Sequence, residues 1–279
     1  MAIITIQELI DAGAHYGTKS SMWHPKMGPY IFGTRNKVHI IDLRQTVRAL
    51  IQAYYYAAKL AKANKTVLFV GTKRQAKDVL RDAARAVGMP YVTERWLGGL
   101  LTNNETIRSS IKRLDAIEEE MADPGYSRLS KKKQARDMRE RRRVLRNLEG
   151  VRMMGKLPDA LFVIDPAKEN SAVREAKRIG IPVIGLLDTD CNPQHINLPI
   201  PANDDGIRSI QSVVKVLLDG IRHGRSQQVD VAERPEGEAA ATGEAQSETA
   251  QPAQTEQPAA AEAATQGDGA AKQEEKADA

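Results

Sequence analysis

The sequence predicts an α/β fold: a three-layer sandwich whose parallel sheet lies between helices. Short apolar runs at residues 66–70, 159–164 and 181–187 alternate with amphipathic stretches of helical period. Strands of a parallel sheet are buried on both faces and are joined by crossover helices, which matches this alternation. Residues 102–154 interrupt the alternation with two long helical patterns, so we expect them to form an inserted helical hairpin.

The elements ahead of the sheet follow from local signals. Thr5 is of N-cap type and precedes a helical pattern, and Gly13 lies near the end of that pattern. Turn chemistry around Gly33 precedes an apolar β run, and Asp42 precedes a second helical pattern. The expected elements are a helix at 6–14, a polar loop at 15–27, a hairpin turn at 31–37, a strand at 38–41 and a helix at 43–63.

Apolar runs predict the strands of the sheet, and the helical patterns between them predict the crossovers. Residues 198–201 combine Leu and Ile with two prolines, which is typical of an edge strand. Asp204 or Asp205 is expected to cap a last helix that ends near Gly224. The expected elements are strands at 66–70, 89–93, 159–164, 181–187 and 198–201, and helices at 74–87, 169–179 and 207–221.

Residues 102–154 are expected to form two antiparallel helices packed as a coiled coil. Residues 123–126, Asp-Pro-Gly-Tyr, have turn chemistry, and Ser130 is a candidate N-cap for the return helix. Apolar residues on the first helix recur in alternating steps of three and four, as in a coiled-coil seam. Arg142 falls at a seam position of the return helix. The expected seam residues are Ile107, Ile111, Leu114, Ile117, Met121, Ala135, Met138, Leu145 and Leu148.

The return segment carries most of the positive charge of the hairpin. Only Asp137 and Glu140 oppose its cations, so the helix repels itself unless a polyanion neutralises it. A solvated helix face is the plain alternative, but the density of positive charge favours nucleic acid. The cations are Arg128, Lys131, Lys132, Lys133, Arg136, Arg139, Arg141, Arg142, Arg143 and Arg146.

The charge is divided between the body of the chain and its end. The 279 residues have a formal net charge of +5, yet residues 230–279 hold twelve acidic and three basic side chains. This end is rich in Ala, Glu, Gln and Pro and lacks the large apolar side chains that a core needs. We therefore expect a discontinuous α/β domain at 1–101 and 155–228, a basic coiled-coil hairpin at 102–154 and a disordered acidic tail at 229–279.

Composition argues against several classes of protein. Cys191 is the only cysteine, so neither a disulfide framework nor a cysteine-based zinc finger is expected. The start of the chain lacks the pattern of a secretory signal, and no apolar run reaches the ~18–20 residues of a membrane span. We expect a soluble, cytosolic protein without a membrane partner.

The carboxyl ends of the strands are where α/β folds bind ligands. Residues 70–75 have the strand–loop–helix order of a phosphate cradle but contain only Gly71, so a P-loop and a dinucleotide fingerprint are both incomplete. Lys73 and Arg74 would instead suit one RNA phosphate at a helix start. No nucleophile–base pair or metalloprotease motif is present, so we expect no catalysis, no cofactor and no small-molecule substrate. A Rossmann-like nucleotide enzyme is the alternative from a different class.

An acidic loop offers a weaker possibility of metal binding. Residues 188–192 begin like a calcium loop, but prolines stand where that loop needs glycine and glutamate. Turn formation and helix capping are the plain explanation for these residues. A structural divalent ion held by Asp188, Asp204 and Asp205 remains an alternative.

Two loops have the composition of RNA-contacting surfaces. Trp23 and Lys26 place an aromatic face beside a cation, which suits stacking on an unpaired base. Arg95, Thr102 and Asn103 could contact phosphates or 2′-hydroxyls. The expected RNA-binding residues are Lys19, Trp23, His24, Lys26, Arg35, Lys37, Lys73, Arg74, Arg95, Thr102, Asn103, Arg108, Lys112, Lys131, Lys132, Lys133, Arg136, Arg139, Arg142, Arg143 and Arg146.

The chain resembles the bacterial small-subunit ribosomal protein two family. The two most specific blocks are residues 69–76 (FVGTKRQA) and 95–103 (RWLGGLLTN). Further blocks follow in the order of the family, and the likeness covers about residues 3 to 225. These further blocks are residues 6–17, 23–27, 40–43, 158–165, 175–176 and 201–205.

The resemblance implies a flavodoxin-like α/β domain with a protruding coiled-coil hairpin. It implies a structural, ribosome-bound protein that contacts small-subunit ribosomal RNA between head and body and joins late in assembly. It also implies contacts with neighbouring small-subunit proteins, including the messenger-binding ribosomal protein one. A free RNA-binding or adhesion protein with the same surfaces is a further alternative.

Overall fold

The computed structural model describes residues 3–232, with side chains described through residue 228. The described α-helices are α1 (Ile6–Asp11), α2 (Leu43–Lys62), α3 (Arg74–Ala86), α4 (Asn104–Ala122), α5 (Lys131–Leu148), α6 (Asn170–Ile179) and α7 (Ile207–Ala232). The described strands are β1 (Tyr16–Lys19), β2 (Ile31–Arg35), β3 (Val38–Ile41), β4 (Val67–Val70), β5 (Tyr91–Val92), β6 (Ala160–Ile164), β7 (Val183–Leu187) and β8 (Leu198–Pro201).

The main sheet has five parallel strands in the order β5-β4-β6-β7-β8. Numbering these strands along the chain gives the order 2-1-3-4-5, which is typical of flavodoxin-like folds. Proline occupies two positions of the edge strand β8, as the sequence predicts. The predicted parallel α/β sheet is therefore confirmed.

Two buried clusters show the three layers. Phe69 and Phe162 lie in the cluster that includes α2, α3 and α7, with ring centroids 5.7 Å apart in an edge arrangement. Their neighbours Leu68 and Leu161 lie in the other cluster, with residues of α6 and of the hairpin base. Successive side chains of a strand point to opposite faces, so β4, β5, β6 and β7 each contribute to both clusters.

A separate three-stranded antiparallel sheet, in the order β1-β3-β2, precedes the main sheet; we call this sheet, together with residues 20–30 that join β1 to β2, the ribbon. Asn36 and Lys37 have φ angles of 53° and 62°, as a two-residue type I′ hairpin turn requires. The prediction of a continuous loop at 15–27 is wrong for residues 16–19, which form β1. The strand was missed because its partner β3 lies some twenty residues later and β1 has no apolar alternation.

The last helix differs most from its prediction, because α7 continues past Gly224 to Ala232. The predicted cap also differs: the carboxylates of Asp204 and Asp205 bond to Lys73, and Asn203 Oδ1 accepts bonds from the backbone N–H groups of Asp205 and Gly206, at 2.8 and 3.0 Å, in the turn before α7. The predicted cap of α1 is confirmed, because Thr5 and Glu8 form a reciprocal capping box.

The predicted disordered tail lies outside the described residues, apart from residues 229–232 in α7. Among the described helices, none combines the length and the apolar composition needed to cross a membrane.

Candidate nucleic-acid interface

Residues 104–148 contain the two predicted hairpin helices, α4 and α5, and ion pairs join them side by side. Arg113 Nε lies 2.6 Å from Glu140 Oε1, and Arg141 Nε lies 2.8 Å from Glu118 Oε1. A further pair joins Lys133 to Glu120. Arg113, in the middle of α4, pairs with Glu140 in the second half of α5, whereas Glu120, near the end of α4, pairs with Lys133 at the start of α5. The two helices therefore run antiparallel. Coiled-coil packing of the two helices stays a prediction.

The predicted seam of α5 is correct at Leu148, but earlier in the helix the face that meets α4 lies one residue away from the predicted one. Asp137 and Leu148 are buried, whereas the predicted seam residues Ala135 and Met138 are exposed. The expectation that Arg142 lies in the seam is also wrong, because Arg142 is exposed and Arg141 turns toward α4 instead. The seam was misread because polar side chains fill several inward positions of this helix.

The other cations of α5 point away from α4 or along its sides. Seven of the predicted RNA-binding cations of this helix are exposed: Lys131, Lys132, Arg136, Arg139, Arg142, Arg143 and Arg146. Within the described residues their carboxylate contacts are sparse, the nearest being Arg136 Nε to Asp137 Oδ1 at 3.8 Å. This face of α5 is therefore a dense and largely uncompensated positive surface.

The hairpin is attached to the sheet domain through the carboxylate of Glu175 on α6. Glu175 Oε1 accepts bonds from Trp96 Nε1 at 3.0 Å and from the Gly99 N–H at 2.9 Å. Its Oε2 accepts bonds from the Leu101 and Thr102 N–H groups at 3.1 and 3.2 Å and from the Thr102 hydroxyl at 3.3 Å. Burial alone would raise the pKa of Glu175, but these donors outweigh it and hold the pKa below its usual value.

The loop residues predicted to bind RNA divide into two groups. Arg95 and Asn103 are exposed, as an RNA contact requires. Thr102 is exposed too, but its N–H and hydroxyl are bonded to Glu175. Trp96 is buried, which agrees with a packing role at the hairpin base. On α4, Lys112 is exposed and Arg108 Nη2 donates to the carbonyl of Gly155.

The ribbon carries the predicted residues of the first part of the chain. Lys19, Trp23, Lys26, Arg35 and Lys37 are exposed there. His24 is partly buried, and its Nδ1 accepts a bond from the Lys26 N–H.

The ribbon is fastened to the end of β7. The Thr18 N–H donates to Asp188 Oδ1 at 3.1 Å and to the Thr189 hydroxyl at 2.9 Å. A Cβ on Gly17 would lie 2.7 Å from Thr189 Cγ2, so the close approach requires glycine. Met27 belongs to the same buried cluster as Leu100 of the hairpin base.

Lys73 does not point to solvent as a phosphate ligand would. Its Nζ lies 2.7 Å from Asp204 Oδ1, 3.0 Å from Asp205 Oδ1 and 3.1 Å from Asp165 Oδ2. Burial alone would lower the pKa of Lys73, but these carboxylates outweigh it and raise the pKa above its usual value. Only the neighbouring Arg74 is exposed at this helix start. An RNA contact by Lys73 stays a prediction.

The carboxylates around Lys73 occupy the crevice where a doubly wound fold would bind a nucleotide. Burial raises the pKa of Asp188 to about 6 and that of Asp204 to about 7. Among residues 3–228, no cluster of three or more His, Cys, Asp or Glu has a metal-binding arrangement. The ammonium of Lys73 already lies beside Asp204 and Asp205, where a bound cation would lie. A divalent ion held by Asp188, Asp204 and Asp205 stays a prediction. Thermal melting of the protein with and without chelator would test it.

We expect the substitution Lys73→Met to lower the free energy of unfolding by about 2–4 kcal/mol, because it leaves buried carboxylates without their counter-charge. Thermal and denaturant unfolding of the two proteins would measure the loss. The exposed neighbour offers a control, since Arg74→Met should change stability by less than about 0.5 kcal/mol. Equal stability of wild type and the Lys73 variant would contradict a central role for this ammonium.

Comparison with known proteins shows the family to which this arrangement belongs. The family model described as Ribosomal protein S2 matches residues 9–224. The chain belongs to the ribosomal protein S2 family. The resemblance found in the sequence is therefore confirmed.

Three relatives illustrate the extent of the match, and each is named small ribosomal subunit protein uS2. The Rhodopirellula baltica protein is 48% identical over 227 residues, covering 81% of this chain and 87% of the relative. The Psychrobacter cryohalolentis protein is 46% identical over 243 residues, covering 87% and 92%. The Coprothermobacter proteolyticus protein is 46% identical over 226 residues, covering 81% and 84%.

Membership of the ribosomal protein S2 family assigns this chain a structural role in the small ribosomal subunit and in translation, and not an enzymatic one. Its partners are therefore the ribosome and its RNA.

Glu175 is the functional-site residue that reasoning from the sequence missed. Its partners lie 73 to 79 positions earlier in the chain, so no local pattern marks it.

Proposed function

We propose that this protein is a cytoplasmic, ribosome-bound component of the small subunit that binds small-subunit ribosomal RNA between head and body. The observation that supports the proposal most strongly is the dense and largely uncompensated positive face of α5. In this proposal α4 and α5 form a coiled-coil prong whose cations neutralise RNA phosphates. The sheet domain holds the prong in place and performs no chemistry.

The triple substitution Arg139→Glu, Arg142→Glu and Arg143→Glu tests this proposal. All three side chains are exposed, so the variant should fold normally. Its charge reversal should repel RNA, and we expect its occupancy in purified small subunits to fall to about a tenth of wild type or less. Quantitative mass spectrometry of gradient-purified subunits measures the occupancy.

A control uses two acidic residues of the same hairpin. Glu105 and Glu119 are exposed, and the replacement of each by lysine changes the charge by the same amount per residue with opposite sign. This control should leave occupancy at the wild-type level or raise it. Wild-type occupancy of the arginine variant would refute the role of the hairpin.

We also propose that the ribbon docks a neighbouring small-subunit protein, the messenger-binding ribosomal protein one. The ribbon exposes apolar side chains that a monomer in water would be expected to bury: Phe32 is 80% exposed, Met22 67% and Trp23 39%. Phe32 stands on β2, an edge of the ribbon sheet with one unpaired side. Aromatic anchors of this kind often contribute most of the energy of a protein interface.

We expect Phe32→Ala to weaken binding of purified ribosomal protein one by about tenfold or more, because hot-spot truncations cost about 2 kcal/mol or more. Biolayer interferometry on subunits carrying either protein would measure this loss. Tyr55→Ala is the control, because Tyr55 is an exposed aromatic residue of α2, outside the ribbon. Equal losses for both variants, or none for Phe32→Ala, would exclude the ribbon as the docking surface.

A further inference from the structure

One face of α5 carries an unbroken row of basic side chains, which we call the outer stripe. It consists of Lys132, Arg136, Arg139, Arg143 and Arg146, all of them exposed. The steps between these residues are four, three, four and three, so in a helix of 3.6 residues per turn they stay on one side. The row spans about 21 Å along the helix axis, at a rise of about 1.5 Å per residue.

The outer stripe lies on the side of α5 opposite to α4. The inward side is marked by buried Asp137 and Leu148 and by Arg141, which bonds Glu118 of α4. On the helical wheel the outer stripe lies about half a turn from these residues. Its cations are thus directed away from the hairpin's own acids.

Other cations of the hairpin have acidic partners within it. Arg113 pairs with Glu140, Arg141 with Glu118, and Arg152 Nη1 with Glu118 Oε2 at 2.8 Å. Lys133 pairs with Glu120 across the two helices. The basic residues of the hairpin therefore form two classes. One class joins α4 to α5, whereas in the outer stripe the nearest carboxylate contact is that of Arg136 Nε with Asp137 Oδ1 of the same helix, at 3.8 Å.

The chemistry of the outer stripe suits a phosphate backbone and not the edges of bases. Helix α5 contains no aromatic residue that could stack on a base, and every member of the stripe is Lys or Arg. A straight row of cations on a straight helix matches the regular phosphates of a duplex better than the splayed bases of a loop.

We infer that the outer stripe lies along the sugar–phosphate backbone of an RNA duplex and binds it without reading its sequence, while Arg113, Arg141 and Arg152 take no part. This inference rests on the proposed RNA-binding function and divides its cations into contacting and non-contacting sets. It assigns part of the salt dependence of binding to the outer stripe and none of it to Arg113, Arg141 and Arg152.

The experiment compares two triple variants of the full chain that lose the same charge. One replaces Arg136, Arg139 and Arg143 by Gln, and the other replaces Arg113, Arg141 and Arg152 by Gln. Fluorescence anisotropy with a short labelled RNA duplex, over a range of salt concentrations, gives the slope of log affinity against log salt. In the first variant we expect the magnitude of this slope to fall by about 2–3, since each phosphate contact contributes about 0.7–0.9. In the second variant we expect it to fall by less than about 0.5.

Circular dichroism shows whether each variant is folded, and single substitutions of the same residues replace any triple variant that is not. Two duplexes of unrelated sequence should bind with equal affinity, and a single strand of equal length should bind more weakly. Equal slope losses for the two triple variants, a preference for one duplex sequence, or tighter binding of the single strand would each overturn the inference. Failure of the wild-type protein to bind any RNA would instead refute the proposed function on which the inference rests.

Discussion

Replacement of Gly224 by alanine should destabilise the protein by about 3 kcal/mol or more, although alanine usually stabilises a helix relative to glycine by about 1 kcal/mol. The reason is the contact between α7 and α2. A Cβ on Gly224 would lie 2.1 Å from the carbonyl oxygen of Ala58, and one on Gly220 would lie 2.6 Å from that of Tyr54. Both obstacles are backbone atoms, so no side-chain rotation relieves them.

The two glycines stand one helical turn apart and face residues one turn apart on α2, so the helices run parallel at close distance. The double variant Gly220→Ala, Gly224→Ala should yield little folded protein. Chemical denaturation of the Gly224 variant measures its loss of stability. Gly98→Ala is the control, because a Cβ there would have no atom within 4 Å, and it should be neutral or slightly stabilising. An unchanged midpoint for Gly224→Ala would show that the helices can separate without cost.

These glycines also explain why the end of α7 could not be predicted from the sequence. Glycine at the end of an apolar pattern is typical of a helix terminus. In α7 it serves close packing instead, and only the position of α2 distinguishes the two uses. The strands of the main sheet were predictable for the opposite reason, because burial on both faces leaves a continuous apolar run such as that of β6.

The candidate site was predictable as far as charge density shows it. The basic segment of α5 can be recognised from its composition, and most of its cations are exposed as a nucleic-acid contact requires. Which cation has an acidic partner depends on the alignment of α4 with α5, and polar inward residues such as Asp137 hide that alignment from an apolar pattern. The environment of Lys73 was hidden too, since Asp165 and Asp204 follow it by 92 and 131 positions.

The attachment of the hairpin depends on Glu175, and its loss should have the largest functional effect of any single substitution. In Glu175→Ala, the buried Trp96 and Leu101 lose the acceptor for their N–H groups, as do Gly99 and Thr102. Each buried donor left without a partner costs about 1–3 kcal/mol, so we expect a loss of about 3–5 kcal/mol. Because the loss is confined to the hairpin base, the loop 96–102 should open before the sheet domain unfolds.

Hydrogen exchange at the amides of Gly99, Leu101 and Thr102 measures that opening directly, and we expect the exchange to accelerate by about 100-fold or more.

The pKa of Glu175 is lowered in the folded protein. The contribution of Glu175 to folding stability is therefore complete above its unfolded pKa of about 4.3 and is lost as pH falls through the folded pKa. Glu175→Gln should remove this acid sensitivity while keeping the side-chain shape. Arg174→Ala is the control, because Arg174 precedes Glu175 on α6 and is exposed. The Glu175→Ala variant could instead fold, enter small subunits normally and protect these amides as well as wild type does. That result would show that the carboxylate does not position the hairpin. The proposal that the sheet domain holds the prong against RNA would then lose its structural basis.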